Sequence, residues 1–335
     1  MHRICHARAE TLRAPLRAVW NAGMSRAAIT FGACVFAAMS VVAAPTAQAA
    51  PTCQGAGQPT LPAASVPGAL EGLTVDERGR AFTTDVLTGR VFRIDAPGAP
   101  AVPIGTVGNG GAGALAWTPD GGLLVGYGAD ARVLVGDSLR HAGIVRMDTD
   151  TGATTPVASG LGAANGMAVG ADGIIYATND FGSSIGRVYP NGVVQPDWAR
   201  FPSANGAVLG DGDRFLYVGR TFVDPGVSRI PVDNPGAPQS LLDLGGGDAL
   251  SAPDGLTLDS ADRPVVPFNS TGQVIRIDAP QRYCVLGSGN PFTSVVTYGR
   301  GDSGFSAGRL FGATFTGSIY EIPGGFDPRA TTATP

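Results

Sequence analysis

Six stretches of this chain repeat one another at a spacing of roughly 40 to 50 residues. Each holds an apolar strand, a polar turn, a second apolar strand, a loop, and a third strand ending in Arg-Ile-Asp or a variant of it. They run 71–97, 114–152, 165–192, 205–236, 254–280 and, in degenerate form, 294–323. Short apolar pieces between them, such as 101–107, 155–159 and 240–244, supply a fourth, outer strand. No such unit buries both its faces alone, so neighbours must stack. Four strands per unit and six units predict an all-β fold, a six-bladed β-propeller with four-stranded blades. The last repeat ends near Pro323 without its outer strand, and residues 59–66 have the character to fill the gap. An N-terminal strand is therefore expected to close the last blade and hide its edges. The propeller is expected to be one domain over 50–330, with 331–335 a tail.

Composition narrows the function classes. The sequence is 44% hydrophobic, enough to build a core, which excludes a disordered chain. All 23 basic residues are Arg, and no cluster of them forms a basic patch. The first 49 residues hold five Arg and one acid, leaving 18 Arg against 26 Asp plus Glu and a net charge of −8. An acidic remainder argues against nucleic acid or an anionic membrane as a partner.

Residues 1–49 read as a leader. Arg26 precedes an apolar run over 29–44, and Ala47-Gln48-Ala49 supplies small residues for cleavage before Ala50. Met24 is the alternative start. The competing reading is a membrane anchor, but the run is Ala-rich and barely long enough to span. Export to the periplasm or the medium is therefore expected, with no stable membrane insertion after cleavage. Cys5 and Cys34 would leave with the leader, and Cys53 and Cys284 would remain in an oxidising compartment. A disulfide between them is expected, with two buried free thiols as the alternative.

One position recurs before the first strand of the repeats. It is Glu71 in EGLTV, Gly113 in GALAW, Asn165 in NGMAV, Asn205 in NGAVL and Asp254 in DGLTL. In a propeller the innermost strands start around one mouth of the central channel. Glu71, Asn165, Asn205 and Asp254 would then bring four side-chain oxygens together, two carboxylates and two amides. All-oxygen ligation suits Ca²⁺. Zinc is disfavoured, because His141 is the one histidine left after export. The other reading is turn chemistry, since Asn-Gly and Asp-Gly are common turn dipeptides. Asp120-Gly121, Asp172-Gly173 and Asp211-Gly212 follow first strands and read as turns. The four singled-out residues precede first strands, and Glu71 is a poor turn former.

Over residues 65–325 the chain resembles the calcium-dependent six-bladed propeller hydrolases. These are the senescence-marker-protein/gluconolactonase family, with paraoxonases and diisopropylfluorophosphatase as relatives. NGMAVGADGIIYATND (165–180) is similar to the third blade of paraoxonases, and ANGAVLGDGDRFLYV (204–218) to the fourth. The resemblance implies that Glu71, Asn165, Asn205 and Asp254 hold one catalytic Ca²⁺. The chain departs from the pattern at several places. It has GNGGAGALAW where gluconolactonases carry Arg-x-Asn-Asp. Gly72 and Gly166 stand where paraoxonases place Asp for a second calcium. No His pair is present.

The function this implies is an exported Ca²⁺-dependent hydrolase of lactones or related esters, acting on a small molecule as a monomer. Asp254 and Glu71 are its expected catalytic groups, Asp254 as nucleophile or as activator of a water. Arg220 is the expected anion-stabilising residue. Loops over the same mouth offer Asp85, Tyr127, Asp130, Asn179, Asp180 and Asn269. His141 lies in a long blade-two loop that reads as a lid. Arg93, Arg146, Arg187, Arg229 and Arg276 recur on third strands and are expected to pair between blades. The alternatives are a non-catalytic propeller with a structural metal, and a strictosidine-synthase-like condensing enzyme, whose usual catalytic Glu has no counterpart here.

Overall fold

Apolar runs without alternation make sense when both faces of a sheet are covered. The structure, a computed structural model describing residues 50–108 and 110–333, shows this arrangement. Among the described residues twenty-four strands form six antiparallel four-stranded sheets. The innermost strands are β2 (Leu70–Val75), β6 (Ala112–Trp117), β10 (Met167–Val169), β14 (Ala204–Gly210), β18 (Thr257–Leu258) and β22 (Thr293–Tyr298). Every residue of β2, β6 and β10 is buried, whereas the outer strand β5 (Val102–Thr106) has no buried residue. Six apolar clusters form the core, each at the boundary of two adjacent blades. Phe82, Val91 and Val107 of blade one, for example, pack on Leu115, Trp117 and Val125 of blade two.

The predicted ring closure is present. β1 (Leu61–Ser65) pairs antiparallel with β24 (Ser318–Glu321), completing the sheet that runs through β23 (Leu310–Thr314) to β22. Cys53 and Cys284 form a disulfide. It ties the segment before β1 to β21 (Arg282–Gly287), the outer strand of blade five, beside the backbone bond from Cys53 N–H to Val285 O. The expected leader, 1–49, lies outside the described residues, as do 334–335. The stretch read as a tail is built into the structure where it is described. Thr332 is 1% exposed, its N–H donates to Gly299 O, and its hydroxyl bonds Thr297 at the channel end far from Glu71.

The recurrent position has a backbone role. Ladder irregularities fall at Leu70/Leu73, Ala112/Leu115, Ala204/Ala207 and Thr293/Val295, each spanning the recurrent residue. Ser294 therefore fills that place in blade six, which the sequence does not reveal. The glycine that follows lets the next blade come close. A Cβ on Gly166 would lie 2.2 Å from Asn205 O, and one on Gly72 2.7 Å from Gly113 O. Threonines on second strands clasp these contacts. Gly72 N–H donates to Thr84 Oγ1 (2.7 Å), which donates to Gly113 O (2.7 Å). Thr178 repeats the relay from Gly166 N–H to Asn205 O. Ser294 closes the ring by donating to Leu70 O (2.6 Å).

Blade five shows why its inner strand is short. Pro267, in β19 (Pro264–Phe268), accepts from Asp254 N–H but has no N–H to return. Gly255 turns to blade six instead, donating to Ser294 O and accepting from Val296. The third-strand arginines differ from expectation. Arg93 pairs with Asp95, Arg146 with Asp120 and Arg276 with Asp278, while Arg187 and Arg229 bond Gln195 and Gln239. Each partner is in the arginine's own blade, where the flat guanidinium covers neighbouring strands.

Replacing Gly166 by Ala should therefore cost about 1–3 kcal/mol of stability by overpacking the ring. Gly245→Ala, where a Cβ meets nothing within 4 Å, should stay within about 0.5 kcal/mol. Urea unfolding of both variants checks this, and equal costs would show that the ring is not tightly constrained.

Candidate functional site

The recurrent side chains gather at one mouth of the central channel. Glu71, Asn165 and Asn205 line a cavity of about 110 Å³ that continues down the channel to Thr332. Asp254 stands next to its lining residue Gly255. All four are buried, between 4% and 9% exposed. Each follows from its element: Glu71 and Asn205 sit in the irregular starts of β2 and β14, and Asn165 and Asp254 just precede β10 and β18.

Hydrogen bonds fix their orientation. Asn205 Nδ2 donates to Thr221 Oγ1 (3.0 Å), which donates to Pro253 O (2.6 Å), so the amide oxygen of Asn205 faces Asn165, whose Nδ2 lies 3.4 Å away. Asp254 accepts from Gly255 N–H at Oδ1 (2.9 Å) and from Asn269 Nδ2 at Oδ2 (2.9 Å).

Two residues named in the sequence only as loop groups belong to this constellation. Asp180 follows β11 (Ile175–Ala177) and is 8% exposed, with Oδ1 buried and without a partner. Asn269 follows β19 and leaves its own Oδ1 buried and unpartnered. Three carboxylates thus share one buried region, and none of them joins an ion pair among the described residues. Burial, then the charges of Asp254 and Asp180, hold Glu71 well above the usual carboxylate range. Burial and then the charge of Asp180 do the same to Asp254. Burial raises Asp180 to about 7 against the opposing pull of Asn165. Among the described residues no three Asp, Glu, His or Cys side chains stand in metal-ligating geometry. Two of the four recurrent members are amides, so the set differs in kind from such a cluster.

The other expected groups are turned elsewhere. Arg220, expected to stabilise an anion, is engaged on its own blade: its Nη2 donates to Asp243 Oδ1 (2.6 Å) and Leu242 O (2.9 Å) on the outer strand β17 (Gln239–Asp243). The end of β15 (Phe215–Arg220) lies across the blade from that carboxylate, which draws the guanidinium outward. Asp85 is spent on the N–H groups of Ala69 and Leu87. Asp130 caps the helical turn Ala131–Val135 and pairs with Arg132. Tyr127 packs against the cluster between blades one and two. His141 Nε2 is 3.8 Å from Asp130, and neither ring nitrogen has a hydrogen bond. The long blade-two loop is docked: Asp137 accepts from Asn179 Nδ2 (3.1 Å) and Ser183 N–H (2.6 Å), and Arg140 pairs with Asp197.

Comparison with solved structures identifies the same architecture elsewhere. The calcium-binding protein regucalcin from Agrobacterium tumefaciens superposes with a TM-score of 0.62 at 18% identity, covering 79% of this chain and 93% of that one. A gluconolactonase from Xanthomonas campestris gives 0.61 at 17%, covering 84% and 99%. Virginiamycin B lyase from Staphylococcus aureus gives 0.51 at 18%, covering 79% and 87%. No protein-family model matches the chain, and no curated protein matches its sequence. The chain is thus a six-bladed propeller structurally similar to regucalcin and gluconolactonases at low sequence identity. A fold shared by a binding protein, a hydrolase and a lyase does not select a chemistry.

The raised carboxylates make a pH prediction. A folded-state value above the unfolded one means that stability is full below the unfolded value and is lost as pH rises through the folded one. For Asp180 the window runs from 3.8 to about 7, with Glu71 and Asp254 adding in the same direction. Metal-free protein should melt about 5 °C lower at pH 8 than at pH 5. Thermal melts in chelator check the sign, and a rise over that interval would refute it.

Proposed function

We propose that this protein is a Ca²⁺-dependent hydrolase of lactones or related esters, working at the channel mouth. The observation that supports it most is the buried carboxylate trio of Glu71, Asp180 and Asp254 without a basic partner, flanked by the amides of Asn165 and Asn205. Uncompensated buried charge is costly, and a hard divalent cation relieves it. The donor set fits such an ion. Glu71, Asn165, Asn205 and Asp254 would hold it, with Asn165 rotated to turn its oxygen inward. The unpartnered oxygens of Asp180 and Asn269 lie beside that set. Bound there, Ca²⁺ supplies a Lewis acid for the carbonyl oxygen of an ester.

The residues divide the remaining work. Asn269 Nδ2, with the Gly255 N–H that is shared with Ser294 O, orients the Asp254 carboxylate, which suits a fixed ligand better than a free nucleophile. Asp180 Oδ1, the carboxylate oxygen without a partner, is the group we assign to take the proton of the attacking water. Thr221 holds Asn205 so that its oxygen faces the channel. The fold likeness to a gluconolactonase and to a calcium-binding protein supports both halves of this reading. The disulfide supports export to an oxidising compartment, where the protein would act as a monomer.

A second reading is a binding propeller whose metal is structural. One observation favours it: Arg220 is turned outward, so it offers no cationic help to a developing oxyanion.

Chelation should abolish hydrolysis of simple lactones and aryl esters. Glu71→Gln and Asp254→Asn should each lower kcat/KM by about 100-fold or more, and Asp180→Asn should lower kcat by about 100-fold or more. Full activity after chelation, or in all three variants, would sink the hydrolase reading. A calcium-dependent rise in Tm without turnover of any ester would favour the binding propeller.

A further inference from the structure

We propose that the mouth selects substrates carrying an alkyl or aryl body, which lies on a hydrophobic rim above the polar floor. This deepens the hydrolase reading and rests on it for the bond that is cleaved. Among the described residues twelve large hydrophobic side chains are exposed, and eight of them lie on loops at this mouth. Scattered exposed apolar groups are ordinary, whereas their concentration around one opening marks a binding surface.

The rim is built on the same segments as the floor. Phe181 directly follows Asp180, and Phe222 directly follows Thr221, the residue that orients Asn205. Their rings stack 4.7 Å apart at 28°, bridging blades three and four, while remaining 38% and 42% exposed. The N–H of Phe222 is held by Ser203 Oγ (2.7 Å). Leu139 is exposed on the turn Gly136–Leu139, which Asp137 pins to Asn179 and Ser183. Leu250 is exposed where its carbonyl accepts from Ser270, the neighbour of Asn269. These side chains are thus fixed relative to the carboxylates.

Two arginines of the rim loops are already paired. Arg220 is engaged by Asp243 and Arg140 by Asp197. A polyhydroxylated substrate would leave these aromatic faces wet. A lactone or ester with its carbonyl at the floor and an apolar chain across Phe181 and Phe222 satisfies both layers.

The test uses γ-lactones with side chains from methyl to octyl. For the native protein, kcat/KM should rise by about twofold for each added methylene. The double variant Phe181→Ser, Phe222→Ser should flatten that dependence. Val193→Ser, an exposed apolar residue in the turn between β12 (Ser184–Val188) and β13 (Val194–Arg200), should keep it. Calorimetry with 2-heptylcyclopentanone, which has no ester bond, should show binding about tenfold weaker in the double variant. A flat dependence in the native protein overturns the inference, as does an unchanged slope and ketone affinity in the double variant. Rim-dependent binding to phosphatidylcholine vesicles, or rim-dependent dimerisation, with ketone affinity unaffected also overturns it, by giving the rim another occupant. Ketone binding that depends on the rim, with no lactone turned over at any chain length, upholds the rim and removes the hydrolase reading instead.

Discussion

The inner strands meet so closely that one residue position answers to two demands at once. Its backbone must reach the neighbouring blade, and its side chain must point into the channel. The glycine that follows satisfies the first demand, since at Gly166 and Gly72 any Cβ would collide with the next blade's carbonyl. Thr84 and Thr178 then hold strand and neighbour together by one hydroxyl each. With the ring fixed this tightly, Glu71, Asn165, Asn205 and Asp254 have little freedom to move apart. The buried carboxylates repel, and the packing of six interblade cores opposes that repulsion. The site is thus a set of buried carboxylates held together by the scaffold.

Much of this was legible in the chain because the double demand leaves a double mark. An oxygen-bearing residue followed by Gly or Ala and an apolar strand is a pattern that turn chemistry alone does not produce. The sheet count, the closing strand and the disulfide were readable for similar reasons: each rests on repetition or on a small number of cysteines. Ser294 escaped notice because Val295 follows it in place of a small residue, since blade six makes its contact through the serine hydroxyl. Asp180 and Asn269 follow second strands, where no repeated signature singles them out from Asp85 or Asn179. All four are buried, and only the unpartnered oxygens of Asp180 and Asn269 distinguish them.

Arginine was the least readable residue type. A long side chain at the end of β15 reaches equally far toward the channel and toward β17, and the Asp243 carboxylate decides the matter. The same reach misled the expectation for the third-strand arginines, which are satisfied within their own blades because partners two residues or one strand away are nearer than any on the next blade. Position along a repeat specifies where a Cα sits, and for short side chains that is nearly enough.

The closing strand has a kinetic consequence. β1 is the first strand of the propeller in sequence, yet it completes the last sheet. Until β1 docks, β24 presents an unpaired edge, and this contact of very large sequence separation forms late. The Cys53–Cys284 bond spans 231 residues, so it can form only once blade five and the N-terminal segment have met. It then acts as a latch on a nearly finished ring: the slow, aggregation-exposed step lies before it, and reopening lies behind a covalent bond.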